Sequence, residues 1–370
     1  MHLSGFIRVP GTFCCAEVRV KPIQIRGRGA ADNPKNRFVA HEFVPEPQDG
    51  DDEEPGPRTQ LITDHTREVF SHNDSPDVSF DVGINPYRGC EHGCAYCFAR
   101  PTHEYLGYSA GLDFETKIVV KRDAPTLLEK ALASPRWKPQ VVAMSGVTDP
   151  YQPVERRLGI TRGCLEVLAR YRNPTAIITK NHLVTRDVDL LAELASVNAV
   201  MACISVTSLE PGLQRVMEPR TSTPARRLAA IETLAKAGVP VRVMVAPVVP
   251  GLTDHEMPRI LQAAADAGAR YATYVMLRLP YAVAPLWEAW LERHFPDRKE
   301  KVLQRIRSMR DGKLYKAAFG ERGRGTGFFA DQTSGLFQVS ARKAGLASSS
   351  PPLSTDAFMR PGPREQLALL

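Results

Sequence analysis

Six short strand-like runs, each followed by a helical stretch, constrain this chain most. Phe80 to Asn85, Val141 to Met144, Ala176 to Thr179, Ala199 to Val206, Val241 to Pro247 and Tyr271 to Leu277 are largely apolar and rich in β-branched residues. Helix signals lie between them. Thr223-Pro224 sets an N-cap and a proline at the first helical position ahead of Leu228, Ile231 and Leu234, and Gly238 closes that helix. Thr253-x-x-Glu256 reads as a capping box for the next helix, which ends at Gly268. Thr161 reads as the cap of the helix carrying Leu165 and Leu168. Strands alternating with helices pair in parallel through right-handed crossovers, which curl the sheet one way. The expected class is α/β: a partial (β/α)6 TIM-like barrel with parallel strands and flexible N- and C-terminal extensions. Chemistry in such folds sits at the C-terminal ends of the strands.

The alternation does not fill the chain. Residues 1–75 read as a weakly structured extension and linker. Asp49-Gly50-Asp51-Asp52-Glu53-Glu54-Pro55-Gly56-Pro57 is acidic and Pro/Gly-rich, and Ile25-Arg26-Gly27-Arg28-Gly29-Ala30 is basic and Gly-rich. Residues 76–284 make the barrel core, 285–345 a helical, basic C-terminal region, and 346–370 a flexible tail. Much of the net charge of +7 lies late: from Pro285 to Gly325 eleven Lys/Arg stand against six Asp/Glu. Such a surface suits phosphates, and it equally suits a solvated helix face. Leu286 to Lys316 reads as helix, placed to cover the open side of the barrel. No apolar run approaches the length of a membrane span, and Met1 to Val20 lacks the apolar stretch of a signal peptide. A cytoplasmic protein without membrane contact is expected.

The loop after the first strand holds three cysteines, Cys90, Cys94 and Cys97, spaced C-x3-C-x2-C. Thiolates are soft ligands that suit iron–sulfur clusters and zinc. A [4Fe–4S] cube takes four ligands, usually cysteines. Three leave one iron open to a substrate or cofactor. The competing reading is zinc, with His92 or His103 completing a Cys3His set, although no second C-x2-C pair completes a zinc ribbon. Cys14, Cys15, Cys164 and Cys203 are scattered, so the seven cysteines do not make a disulfide framework and fit a reducing compartment.

Later strands end in polar groups. Gly146-Val147-Thr148-Asp149 follows the second, Thr179-Lys180 ends the third and Ser205-Val206-Thr207-Ser208 the fourth. Thr148 and Asp149 can accept from an ammonium or a ribose, and Lys180 can pair with a carboxylate. Each also has an ordinary use in a turn, a strand end or a cap.

The cysteine spacing resembles the radical S-adenosylmethionine (SAM) superfamily, in which an aromatic residue precedes the last cysteine, the place of Tyr96. The run from Asn73 to Pro280 resembles the branch related to spore photoproduct lyase and uncharacterised bacterial photolyase-like proteins. The carriers are Asn85-Pro86-Tyr87-Arg88-Gly89-Cys90, Thr148-Asp149-Pro150-Tyr151-Gln152-Pro153 and Ser205-Val206-Thr207. The resemblance implies a (β/α)6 core, a [4Fe–4S] cluster and SAM as cofactor. It also implies reductive cleavage of SAM to a 5′-deoxyadenosyl radical, and a low-potential electron donor such as flavodoxin or ferredoxin. By it Thr148 contacts the cofactor's amino group, Asp149 its ribose, and Lys180 and Ser205 its carboxylate; Tyr96 belongs to the same site.

Two positions depart from the lyase. Its hydrogen-returning cysteine, two residues before the place of Thr148, is Gly146 here, and the tyrosine after its last cluster cysteine is Phe98. Cys203, two residues before Ser205 on the same strand face, is the candidate replacement donor; the alternative is a small buried hydrophobe. Nucleic acid is the first expected substrate, and a peptide or small metabolite the second. A zinc-stabilised nucleic-acid-binding module without catalysis is the reading from a different class.

Overall fold

The computed structural model describes residues 25–39, 57–144 and 146–362. In chain order the strands are β1 (Gln60–Thr63), β2 (Phe70–His72), β3 (Val82–Ile84), β4 (Tyr87–Arg88), β5 (Lys117–Val120), β6 (Val142–Met144), β7 (Thr175–Thr179), β8 (Val200–Ser205), β9 (Val241–Val248) and β10 (Tyr271–Met276). Six of them pair in parallel in the order β3-β6-β7-β8-β9-β10, and β2 joins β3 antiparallel at the edge. These six are the strands read from the sequence, with ends displaced by one or two residues. No pairing joins β10 to β2 among the described residues, so the barrel is open.

The helices are α1 (Leu112–Thr116), α2 (Ala124–Ala133), α3 (Glu155–Leu158), α4 (Ile160–Arg170), α5 (Val188–Ser196), α6 (Pro211–Met217), α7 (Pro224–Lys236), α8 (Met257–Asp266), α9 (Val283–His294), α10 (Pro296–Ser308) and α11 (Phe328–Lys343). Alternation along the strands divides the two faces. Ile177, Ala202, Ile204, Val243 and Val245 join the apolar core with Leu165, Leu168, Leu191, Leu194, Ile231 and Leu234 of the helices. Ile178, Ser205, Met244 and Ala246 face the inside of the curl. A second core forms where α9 and α10 cross the barrel mouth. Trp287 and Trp290 stack there with ring centroids 4.6 Å apart, against Tyr96, Met217, Val249 and Leu252. That agrees with the covering role read for Leu286 to Lys316.

Parts of the segment read as a weakly structured extension are ordered. β1 pairs in parallel with β5, which pairs with β4, making a three-stranded sheet beside the main one. Gly29 and Ala30 donate their N–H groups to the buried Glu115 carboxylate at 3.1 and 2.8 Å. A Cβ on Gly29 would lie 1.9 Å from the Gly93 carbonyl oxygen, so only glycine passes this close to the cysteine loop. Composition marked this segment as loop; buried partners far along the chain order it. The acidic run 49–56, Cys14 and Cys15 lie outside the described residues. The tail is partly engaged as well: Ala347 forms a bridge with Tyr271, and Ser354 N–H donates to the Asn198 carbonyl.

Two caps differ from expectation. Thr161 lies inside α4, its hydroxyl donating to the Pro150 carbonyl at 2.6 Å, and Gly159 with φ +66 takes the cap position. The Thr253–Glu256 capping box does not form. Thr253 Oγ1 accepts from Val249 N–H, while Glu256 accepts from the Ser208 hydroxyl and Leu209 N–H. Tertiary partners outcompete the local bonds in both cases.

Candidate active site at the strand ends

The cysteine loop leaves β3 and β4 and is gripped from all sides. Arg100, fully buried, donates Nε and Nη2 to the Cys94 carbonyl at 3.1 and 2.9 Å and pairs with Glu115. Ala95 N–H donates to the Met217 carbonyl at 3.0 Å. Tyr96 donates its hydroxyl to Glu218, which also binds Arg227. Burial opposes charge on Glu218, yet Arg227 and then Lys180 hold its carboxyl below the usual range. The aromatic before the last cysteine is therefore an anchor: its ring lines the cavity, and its hydroxyl is turned to Glu218.

The quoted sequence stretches interlock. Asn85 Oδ1 accepts from Gly146 and Val147 N–H at 3.0 and 3.1 Å and so fixes the turn after β6. Thr148 donates to the Gly89 carbonyl at 2.7 Å. Gln152 donates to the same carbonyl and to Thr148, and its Oε1 accepts from Glu91 N–H at 2.9 Å. Both oxygens of Asp149 are engaged. Oδ1 accepts from Thr179 Oγ1 and Tyr151 N–H at 2.7 and 2.9 Å, and Oδ2 accepts from Lys180 N–H at 2.8 Å and meets His92 Nδ1 at 3.3 Å. Burial disfavours a charged His92; Asp149, and then Cys90, overcome it and lift the imidazole to about 10. Thr148 and Asp149 thus brace the loop and shape the wall, a use the sequence reading gave only as a turn.

Cys90, Cys94 and Cys97 open onto one cavity of about 290 Å³, near the lower end for small-molecule sites. Tyr96, Thr148, Asp149, Lys180 and Ser205 line it too, so the predicted metal and cofactor residues converge. Lys180 has no carboxylate within ion-pair distance among the described residues. At the mouth the Arg278 guanidinium lies 4.7 Å from the centre of the Phe98 ring, its Nε buried without a partner. Asp149 is the one carboxylate of the lining among the described residues and is matched by His92, so Lys180 and Arg278 leave the cavity cationic. Neither His92 nor Arg278 was assigned this place from sequence. His92 was weighed only as a zinc ligand, although its position between two cluster cysteines was a signal.

Cys203 does not line the cavity. It shares the Ser205 face but lies two residues, ~6–7 Å, deeper along the strand. It is buried, which pushes its thiol up to about 11. Gly146 does line the cavity, and a Cβ there would meet Asn85 at an ordinary 3.7 Å, so the missing thiol is a matter of chemistry and not of space. The zinc alternative fits poorly. Both His92 nitrogens face protein partners, Asp149 and Asn181, and His103 packs between Tyr108 and Phe114. No group of three or more His, Cys, Asp or Glu among the described residues is close enough for a single metal ion. Three thiols spread around an open space suit a larger cluster. Burial, then the Glu218 charge, raises the Cys94 thiol well above its ordinary value.

Comparison with known proteins agrees with this geometry. The family model of the Radical SAM superfamily matches residues 84–264. An uncharacterized protein of Mycobacterium tuberculosis (strain ATCC 25618 / H37Rv) is 41% identical over 222 residues, 60% of this chain and 65% of that protein. One of Methanocaldococcus jannaschii is 30% identical over 173 residues, covering 47% and 62%. The chain thus spans somewhat under two thirds of these relatives. Among solved structures, spore photoproduct lyase complexed with dinucleoside spore photoproduct superimposes with a TM-score of 0.56 at 17% identity, over 78% of this chain and 81% of that one. At that identity the likeness is one of fold.

Proposed function

We propose, from the match of residues 84–264 to the model of the Radical SAM superfamily, that this chain is a radical SAM enzyme acting on nucleic acid. The carrying observation is that Cys90, Cys94 and Cys97 open onto the same cationic cavity as Lys180 and Ser205. The three thiols would hold a [4Fe–4S] cluster, and the space beside them would take SAM. When bound, this pair supplies, from one electron, a 5′-deoxyadenosyl radical that abstracts hydrogen. The chain's own residues bind and orient. Lys180 offers a cation to the methionine carboxylate, with Ser205 beside it. Thr148 and Asp149 hold the turn that would face the cofactor's amino group and ribose. Arg227, Glu218 and Tyr96 keep the cysteine loop in register, and Trp287 excludes water behind it.

Nucleic acid is favoured by the mouth. Arg278 stacked on the half-exposed Phe98 offers a cation and a ring face to a phosphate-bearing base. The late basic segment supports this less than its charge count suggests: Lys299, Arg305, Lys316 and Arg322 are all paired with carboxylates. Reduced protein, SAM and deuterated cellular nucleic acid, incubated anaerobically, should place deuterium in 5′-deoxyadenosine. Label arriving only from peptide or metabolite fractions would contradict the substrate reading while leaving the cofactor reading intact.

A further inference from the structure

A second cleft, of about 310 Å³, opens on the same rim of the barrel, between the turns that follow β6, β7 and β8. It is separated from the cavity by one layer of side chains, where Asn181 Nδ2 meets His92 Nε2 at 3.0 Å. Among the described residues its lining has three guanidiniums, Arg156, Arg186 and Arg226, and no carboxylate. Arg186 is compensated from behind by Glu155 and Asp187, each at 2.7 Å. Arg156 and Arg226 have no carboxylate in ion-pair range among the described residues. Arg226 donates to His182 Nδ1 at 3.3 Å, which requires that nitrogen to be an acceptor and the imidazole neutral. The wall is built before any ligand arrives: Ser222 Oγ accepts from His182 N–H at 2.8 Å and donates to Asn181 at 3.2 Å. The 13-residue helix α7 starts here, with no side-chain cap from Thr223 on its first N–H groups.

We infer that this cleft is an oxyanion site that takes a phosphate group beside the radical cavity, with Arg156 and Arg226 as its ligands. Two uncompensated guanidiniums converging on an acid-free cleft at the positive end of a helix match a phosphate in charge and in forked donor geometry. The phosphate belongs either to a polynucleotide whose reacting residue occupies the cavity, or to a free phosphate ester. The site rests on its own geometry, so its failure leaves the cofactor reading untouched.

Equilibrium dialysis of the full chain with labelled inorganic phosphate tests it. Arg156→Gln with Arg226→Gln should weaken phosphate binding about tenfold or more. Arg157→Gln, exposed on the same short helix but outside the cleft, should change nothing. All three side chains are exposed, so the variants should retain the wild-type melting temperature. Competition then separates the sources. A single-stranded oligonucleotide that displaces phosphate from wild type, and binds the double variant more weakly with a shallower salt dependence, assigns the site to a polynucleotide. Displacement by a mononucleotide alone assigns it to a free ester. Equal phosphate binding by wild type and double variant, or none at millimolar phosphate in either, overturns the inference.

Discussion

On the proposed assignment Cys90, Cys94 and Cys97 are each irreplaceable, because two protein thiolates do not hold a cube. Each Cys→Ala variant should therefore fail to retain iron and sulfide after anaerobic reconstitution, whereas Cys164→Ala and Cys203→Ala should keep both. Full retention in the three loop variants would refute the assignment. Lys180→Met should keep the cluster and weaken SAM binding about tenfold, the scale of one lost charge-assisted contact; unchanged affinity would show that the carboxylate lies elsewhere. Gly146 and Phe98 predict that the chain does not cleanly return spore photoproduct to two thymines. Gly146→Cys, for which the structure has room, is the variant expected to gain that return, as read by product analysis of a dinucleotide photoproduct. His103 supplies a pH test. Burial lowers its pKa from 6.5 to about 4, against the weaker pull of Asp113. Between these values the unfolded chain binds more protons than the folded one. Stability therefore falls as pH drops through that window, by about 3 kcal/mol from this group. Urea melts should show a flatter pH slope in His103→Phe; an unchanged slope would contradict it. At this scale the convergence of the three cysteines on one cavity was legible because their close spacing in one loop keeps them together. The duties of Asp149 and Tyr96 were not, because their partners, His92 and Glu218, are set by the fold.

At the scale of elements, short apolar runs bounded by turn residues were enough to find all six parallel strands, since each is buried on at least one face. Helix caps read less well. Thr253 and Glu256 have the right spacing for a capping box, yet Ser208, Leu209 and Val249 arrive from other elements and take their hydrogen bonds. The segment 25–39 was illegible for a similar reason: Gly29 and Ala30 look like linker until the buried Glu115, more than eighty residues on, receives their N–H groups. α9 carries the sharpest prediction. Trp287 is fully buried, edge-on to Tyr96 with centroids 6.3 Å apart and stacked on Trp290. Trp287→Ala should cost about 3–5 kcal/mol locally. It should also loosen the cysteine loop, so that cluster iron is lost to a chelator faster than in wild type. A variant with wild-type iron retention would mean that α9 is a cover and not a brace.

At the scale of the molecule, an open six-stranded curl collects the ends of consecutive strands on one rim, which brings residues from Cys90 to Arg278 to a single cavity. No helix among the described residues is long and apolar enough to cross a membrane. The charge that matters is local: four of the eleven late Lys/Arg are paired with carboxylates, while Lys180 and Arg278 in the cavity, and Arg156 and Arg226 in the cleft beside it, have no carboxylate within ion-pair distance among the described residues. The proposed function rests on one claim, that the three-cysteine cavity delivers an electron to bound SAM. The direct measurement is release of 5′-deoxyadenosine from SAM by anaerobically reconstituted, dithionite-reduced protein. Slow release without substrate, abolished in Cys94→Ala and reduced in Lys180→Met, is the predicted result. A cluster-replete wild-type protein that binds SAM and forms no 5′-deoxyadenosine under reduction would contradict the account.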